Sequence, residues 1–171
     1  ESSFGFKVKK INPNSRLFNK QLGGGAILDV GCYPLSFISL FNDNKSNLKF
    51  KNLSGKICKT NVDTAASANI LINNKINCKI EVSLQENLKN NSIIYGSKGL
   101  LIVNSPWLPE KKTFLEIITK TRSYKIFINS DLSIYANQIK NISNEFLKKN
   151  NNRLKLFRIS ESLKNMKYLD Y

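Results

Sequence analysis

From Leu48 to Asn129 the chain alternates apolar and polar residues in short runs punctuated by turn formers, and this pattern leaves few folds open. In "INCKIEVSLQ", Ile76, Cys78, Ile80, Val82 and Leu84 point one way, and Asn77, Lys79, Glu81, Ser83 and Gln85 the other. That is the period of a strand with one buried and one polar face. "ANILINNKINCKI" reads as a hairpin turning at Asn73-Asn74, because asparagine tolerates positive φ. "SIIYGSKGLLIV" repeats the arrangement around Gly96–Gly99, and "TFLEIITKTRSYKIFIN" gives a further pair with a polar turn over Lys120–Arg122. "FGFKV" near the start is one more strand, and "KKINPNSRLFNKQLGGG" is a loop.

Helical patterns flank the strands. One runs over Ala26–Phe41 and ends at the turn formers "NDNKSN". A second starts at about Ser133, with Tyr135, Ile139, Ile142 and Phe146 on one stripe. The last starts near Ser160, where "SESL" offers N-cap chemistry, and carries Leu163, Met166 and Leu169; "KKNNNRLK" connects these two. Strands joined by short turns, followed by helices, imply an α+β domain: an open-faced, largely antiparallel sheet with helices packed on one face. No period of about 20–50 residues recurs, so a solenoid is not expected.

With 171 residues and 41% hydrophobic content, the chain can build one domain with a real core. No unbroken apolar run of about eighteen residues exists and no basic leader precedes an apolar run, so neither a membrane span nor a signal peptide is expected. The chain opens at Glu1 and at once reads as strand, which suggests a piece of a longer protein. Cys32, Cys58 and Cys78 are dispersed, as in a reducing, cytoplasmic compartment, and form no zinc pattern. The absence of histidine removes Ser-His-Asp triads, His-ligated metals and imidazole acid–base catalysis. The formal charge of +15 invites a nucleic-acid reading. However, the basic residues are predominantly lysine and are spread along the chain beside abundant asparagine and isoleucine. All three have A/T-rich codons, so background composition explains the charge and no nucleic-acid partner is expected.

The chemistry concentrates in "LGGGAILDVGCYPLSFISLF". On a helix of about 3.6 residues per turn, Ile27, Val30, Pro34, Phe37, Ile38 and Phe41 gather on one face, while Asp29 and Tyr33 stack on the other beside Ser36 and Leu40. Gly31 between them leaves room for a neighbour to approach, and Pro34 should bend the helix. An acid and a phenol projecting together suggest a functional pair, but a buried structural aspartate and an ordinary amphipathic tyrosine fit the same pattern. "GGGAIL" lacks the spacing of a dinucleotide fingerprint and follows a loop, not a strand.

The stretch "LGGGAILDVGCYPLSF" resembles the signature that opens the second domain of the glucose-fructose oxidoreductase, inositol dehydrogenase and MocA family. It is most similar to the dihydrodiol dehydrogenase and D-xylose dehydrogenase branch. "FGF", "NVDTAASANI", "IYGSKGLLIVNSPW", "YANQI" and "ESLKNMKYLD" resemble the family in its own order, across nearly the whole of residues 1–171. The resemblance implies a C-terminal substrate-binding and oligomerisation domain, with NAD or NADP bound mainly by an N-terminal Rossmann domain that carries a catalytic lysine in an E-K-P motif. Neither the dinucleotide fingerprint nor E-K-P occurs here ("PEKK" at Pro109 is not it), so the fragment alone is expected to be inactive. No residue of this chain is expected to bind the cofactor or a metal.

For the whole protein the resemblance implies hydride transfer between a nicotinamide cofactor and a sugar or polyol, or else sugar-nucleotide modification or redox-assisted glycoside cleavage. It gives Tyr33, where many relatives carry histidine, the general acid/base role and Asp29 an orienting one. Arg16 becomes a candidate substrate contact. Trp107 is a candidate pocket or oligomer residue, with plain packing as the alternative. Asp63 reads as a strand-edge turn residue, and Cys32 as a small core residue. A homo-oligomer formed through the open sheet face is also implied.

Overall fold

The computed structural model describes residues 1–41, 48–147 and 159–170. Its frame is one eight-stranded sheet with the order β2-β3-β4-β1-β5-β6-β7-β8. The strands are β1 (Ser2–Gly5), β2 (Leu48–Ile57), β3 (Asp63–Ile72), β4 (Ile76–Ser83), β5 (Asn91–Gly96), β6 (Gly99–Asn104), β7 (Lys112–Thr119) and β8 (Ser123–Asn129). The helices are α1 (Cys32–Ser39), α2 (Ile134–Phe146) and α3 (Ile159–Leu169). The architecture is the expected α+β, open-faced and mostly antiparallel. "NDNKSN" and the connector "KKNNNRLK" lie outside the described residues.

Each antiparallel pair follows from its turn. In the β3–β4 hairpin, Asn73 and Asn74 take φ of 52° and 55° and the Lys75 amide donates to Ile72 O at 2.9 Å. The pairing of Ile72 with Ile76 then carries Ile70 opposite Cys78 and Ala68 opposite Ile80 on one apolar face. The parallel pair departs from this meander. β1 inserts between the two halves of the sheet, with Phe4 beside Val82 of β4. Its other edge meets β5, where Ser2 and Ser92, both buried, share a hydroxyl hydrogen bond of 2.7 Å. Chain order alone does not reveal a first strand placed at the centre.

Two adjoining cores result. One gathers Phe4, Phe18, Ala26, Val30, Val62, Val82, Leu84 and Trp107. The other gathers Leu35 and Ile38 of α1 against Leu48, Ala68, Ile70, Ile72 and Cys78. The helices cover β1, β3 and β4, and α3 lies against α1. Length and composition alone would let Lys20–Ser39 cross a bilayer. Here that segment is broken at its glycines and supplies Ala26, Val30, Leu35 and Ile38 to the cores. α2 departs from the expected packing. It starts where expected, with Ser133 as its N-cap and Ser133 Oγ accepting from the Ala136 amide at 3.4 Å, yet Tyr135, Ile139, Ile142 and Phe146 are all exposed. α3 is described from Ile159, beside the expected start near Ser160.

The positive φ at Asn74 sets a test. Valine there disfavours the left-handed region, by about 1–2 kcal/mol, so Asn74→Val should lower the denaturation midpoint, and Asn74→Gly should hold or raise it. Equal midpoints for the two variants would remove the turn from the account of sheet register.

Candidate active site

The glycine run works through its contacts with the preceding loop. Arg16–Phe18 and Lys20–Leu22 form two short 3-10 turns, anchored by Phe18 in the first core. The Gly24 amide donates to Asn19 O and the Gly25 amide to Leu17 O, both at 2.9 Å. A Cβ on Gly24 would lie 2.8 Å from Leu17 O and 2.9 Å from Arg16 O, inside contact distance. Only a bare backbone fits there, and the close approach folds the loop back so that Arg16 reaches the helix that follows.

Gly25, at φ 122°, is constrained from a second side: a Cβ on it would collide with Asp63 Oδ1. Asp63, at the start of β3, lays its carboxylate across the head of that helix. Its Oδ2 accepts from the Ile27 amide at 2.8 Å. Ala26, at the N-cap position, has no side chain able to do this, and the strand supplies the acceptor instead. Burial pushes the Asp63 carboxyl above its ordinary value, against the lowering effect of the backbone amides of Ile27, Asp63 and Ala26. Asp63 is thus more than a turn residue. The crowding at the glycine run was not readable from sequence, because the atoms that impose it come from the preceding loop and from β3.

The helix itself is not one α-helix. Ile27–Gly31 form a π-turn, and α1 begins at Cys32. Pro34 accounts for the restart. In a continuous helix over residues 26–41 it would lack its amide bond and press on the preceding turn. Because α1 starts at Cys32, Pro34 falls in a first turn, where amides have no intrahelical partner anyway. Asp29 and Tyr33 are near enough for the carboxylate to help raise the pKa of the phenol, yet no hydrogen bond joins them among the described residues. Asp29 turns to Arg16, with Oδ1 2.6 Å from the guanidinium Nη2; the carboxylate side is 13% exposed and the arginine 62%. Gly31 makes room as expected, but for α3, because Leu169 Cδ2 would sit 3.4 Å from a Cβ there.

Tyr33 is 42% exposed and, among the described residues, its hydroxyl makes no hydrogen bond. Its ring is held edge-on to Phe4, at 5.0 Å between centroids, and to Trp107, at 5.9 Å. Burial raises its pKa, reinforced by Cys32, Tyr135 and Asp29. Trp107 is buried in the core, stacked over Phe4 at 6.0 Å, and its Nε1–H donates to Ser3 O at 2.9 Å. Its packing role is therefore explicit, and its indole also walls a groove of about 660 Å³ beside Tyr33, with Phe37, Leu40, Pro106 and Phe114. Cys32 is half-buried and its thiol pKa is raised, by burial first and then by Asp29. Among the described residues no three His, Cys, Asp or Glu side chains cluster as a metal site.

The family profile of the GFO/IDH/MocA C-terminal domain matches residues 1–102. The chain belongs to this family. Trans-1,2-dihydrobenzene-1,2-diol dehydrogenase of Xenopus tropicalis is 29% identical over 127 residues, 73% of this chain and 36% of the relative. The mouse enzyme of the same name is 26% identical over 155 residues, 86% of this chain and 45% of the relative. The chain thus spans under half the length of these curated relatives. In fold it is similar to KijD10, a 3-ketoreductase from Actinomadura kijaniata solved with NADP and TDP-benzene. The TM-score is 0.82 and the identity 20%, over 99% of this chain and 50% of that one. An aldose-aldose oxidoreductase from Caulobacter crescentus gives a TM-score of 0.76 at 14% identity, over 99% and 50%. The GFO/IDH/MocA C-terminal domain therefore occurs here with Gly24 set against the preceding loop and Gly25 against Asp63.

Gly25→Ala tests that arrangement. A strained backbone angle costs about 1–3 kcal/mol, and the collision with Asp63 adds to it, so the denaturation midpoint should drop clearly. Gly96→Ala, whose Cβ would meet nothing closer than 3.4 Å, serves as the comparison; equal losses in the two variants would count against the packing described.

Proposed function

We propose that residues 1–171 are the substrate-binding half of an NAD(P)-dependent oxidoreductase acting on a sugar or polyol hydroxyl or carbonyl. The observation that carries this reading is Tyr33, half-exposed on a rigid aromatic mount, its hydroxyl without a hydrogen bond among the described residues, beside a carboxylate already neutralised by Arg16. NAD or NADP, held mainly by a preceding domain, supplies or accepts the hydride. The work of this chain is to manage the proton and the substrate. Hydride addition to a carbonyl carbon requires a proton at its oxygen. A phenol whose pKa is raised by burial, with Cys32, Tyr135 and Asp29 adding to it, stays protonated at neutral pH and suits that donation. In the reverse direction the same group needs a nearby cation to lower its pKa and act as base; a lysine of the preceding domain fits that role.

Arg16 and Asp29 act together. The carboxylate fixes the guanidinium, whose remaining N–H groups are free to meet a substrate hydroxyl. Asp29 is thereby an orienting group, and Tyr33 is left as the proton carrier. The groove walled by Phe37, Trp107 and Phe114 gives the rest of the substrate an apolar surface. Without the cofactor-binding half, the domain alone is inactive in this reading.

The reading also includes a cytoplasmic homo-oligomer. Tyr124, Ile126, Phe127 and Ile128 leave edge strand β8 exposed and apolar, as the α2 stripe is, and such surfaces seek a partner.

In the whole protein, Tyr33→Phe should lower kcat by about 10²–10⁴-fold, with cofactor affinity and Tm unchanged; near-normal turnover ends the assignment. Light scattering of that protein should show a dimer or higher species, and a strictly monomeric one removes the oligomer from this account.

A further inference from the structure

Asp63 reaches the site without belonging to it. Its chain position is 34 residues beyond Asp29, at the start of β3, where pairing with Ile57 of β2 fixes the strand. From there its carboxylate accepts from the Ile27 amide at 2.8 Å. The Ala26 amide also turns toward it, and its other oxygen lies against Gly25. The π-turn that follows has no cap of its own. Beyond the turn, in α1, Ser36 Oγ donates to Cys32 O at 2.6 Å and accepts from buried Asn165 of α3 at 3.0 Å. The segment carrying Asp29 and Tyr33 is therefore clamped at both ends by side chains from other elements. A π-turn is a departure from the regular helix and needs such external restraint to persist.

We infer that Asp63 is a positioning residue for the proposed reaction: by anchoring the Ile27 amide it holds the π-turn that aims Asp29 at Arg16 and places Tyr33 at the substrate. Release of that amide frees the head of the π-turn to shift. Asp29 then rotates away from Arg16, and the Tyr33 hydroxyl shifts relative to the reacting carbon. Misplacement of about 1 Å is enough to cost on the order of 10²-fold in rate. The inference rests on the assignment of Tyr33 made above for its catalytic consequence, but not for the clamp itself.

The test uses the whole protein. Asp63→Ala should lower kcat by about 10²-fold at a temperature where the variant is fully folded, with cofactor KM unchanged. Asp63→Asn retains a carbonyl acceptor and should recover most of that loss. Ile72→Val, a truncation in the second core, controls for destabilisation and should keep full kcat. Amide hydrogen exchange, residue by residue, should show Ile27 protected in the unmutated protein and in Asp63→Asn, and exposed in Asp63→Ala. Full kcat in folded Asp63→Ala, or a loss matched by Ile72→Val, overturns the inference. If Asp63→Ala does not fold, rapid exchange of Ile27 in the unmutated protein overturns it, and so does an Asp63→Asn variant that folds but is as inactive as Tyr33→Phe. A fully active Tyr33→Phe instead brings down the catalytic reading while the Ile27 protection still reports the clamp.

Discussion

The contact on which the site depends is between a strand and a helix head: the Asp63 carboxylate against the amides that open the π-turn. Four backbone donors at a helix start need acceptors, and a local N-cap residue usually provides one. Here that position is alanine, buried in the core. Moving the acceptor to β3 makes the angle of the helix a property of the sheet, which is held by pairing on both sides of β3. Burial of the carboxylate opposes its ionisation. The arrangement thus gives up some stability near neutral pH, because a carboxyl whose folded pKa is raised favours folding most below its unfolded value and loses that contribution as pH climbs through the folded one. A geometric return is the reason to keep such a group.

The aromatic mount of Tyr33 complements this anchor. Phe4 belongs to the central strand, and Trp107 to the segment after β6. The indole N–H bond to Ser3 O ties that segment to the central strand, and both rings then brace the phenol edge-on. Ring contacts of this kind limit tilt without occupying the hydroxyl. The result is a polar tip held by an apolar body. Trp107, its donor committed to Ser3 O, thus stands beside Tyr33 as a wall of the groove.

Much of this was legible in the chain, for identifiable reasons. Period-2 alternation and asparagine turns act locally, so the β3–β4 hairpin and its register could be read directly. The family resemblance rested on the glycine–helix signature and was sound. What could not be read was everything set by sequence-distant contacts. β1 lies between β4 and β5 because both halves of the sheet close on it, which no local pattern announces. Leu35 is nearly inaccessible although the helical wheel placed Phe41 in the core instead. Asp63 looked like a turn residue because its role lies with an amide 36 positions away.

Asp29 and Tyr33 show how a partner from outside the helix redirects a local arrangement. Residues four apart meet on an α-helix, and the expectation of a carboxylate–phenol pair followed from that alone. Pro34 forbids the regular helix, and the π-turn lets its missing amide fall where none is needed. The same turn gives Asp29 to Arg16. An ionised carboxylate hydrogen-bonded to the phenol would compete with substrate for the very proton that carbonyl reduction needs. With Asp29 satisfied elsewhere, the Tyr33 hydroxyl is free to donate to a bound oxygen. The ion pair with Arg16 therefore occupies the carboxylate without taking the phenol's proton, and the chemistry proposed for this domain requires that proton to be available.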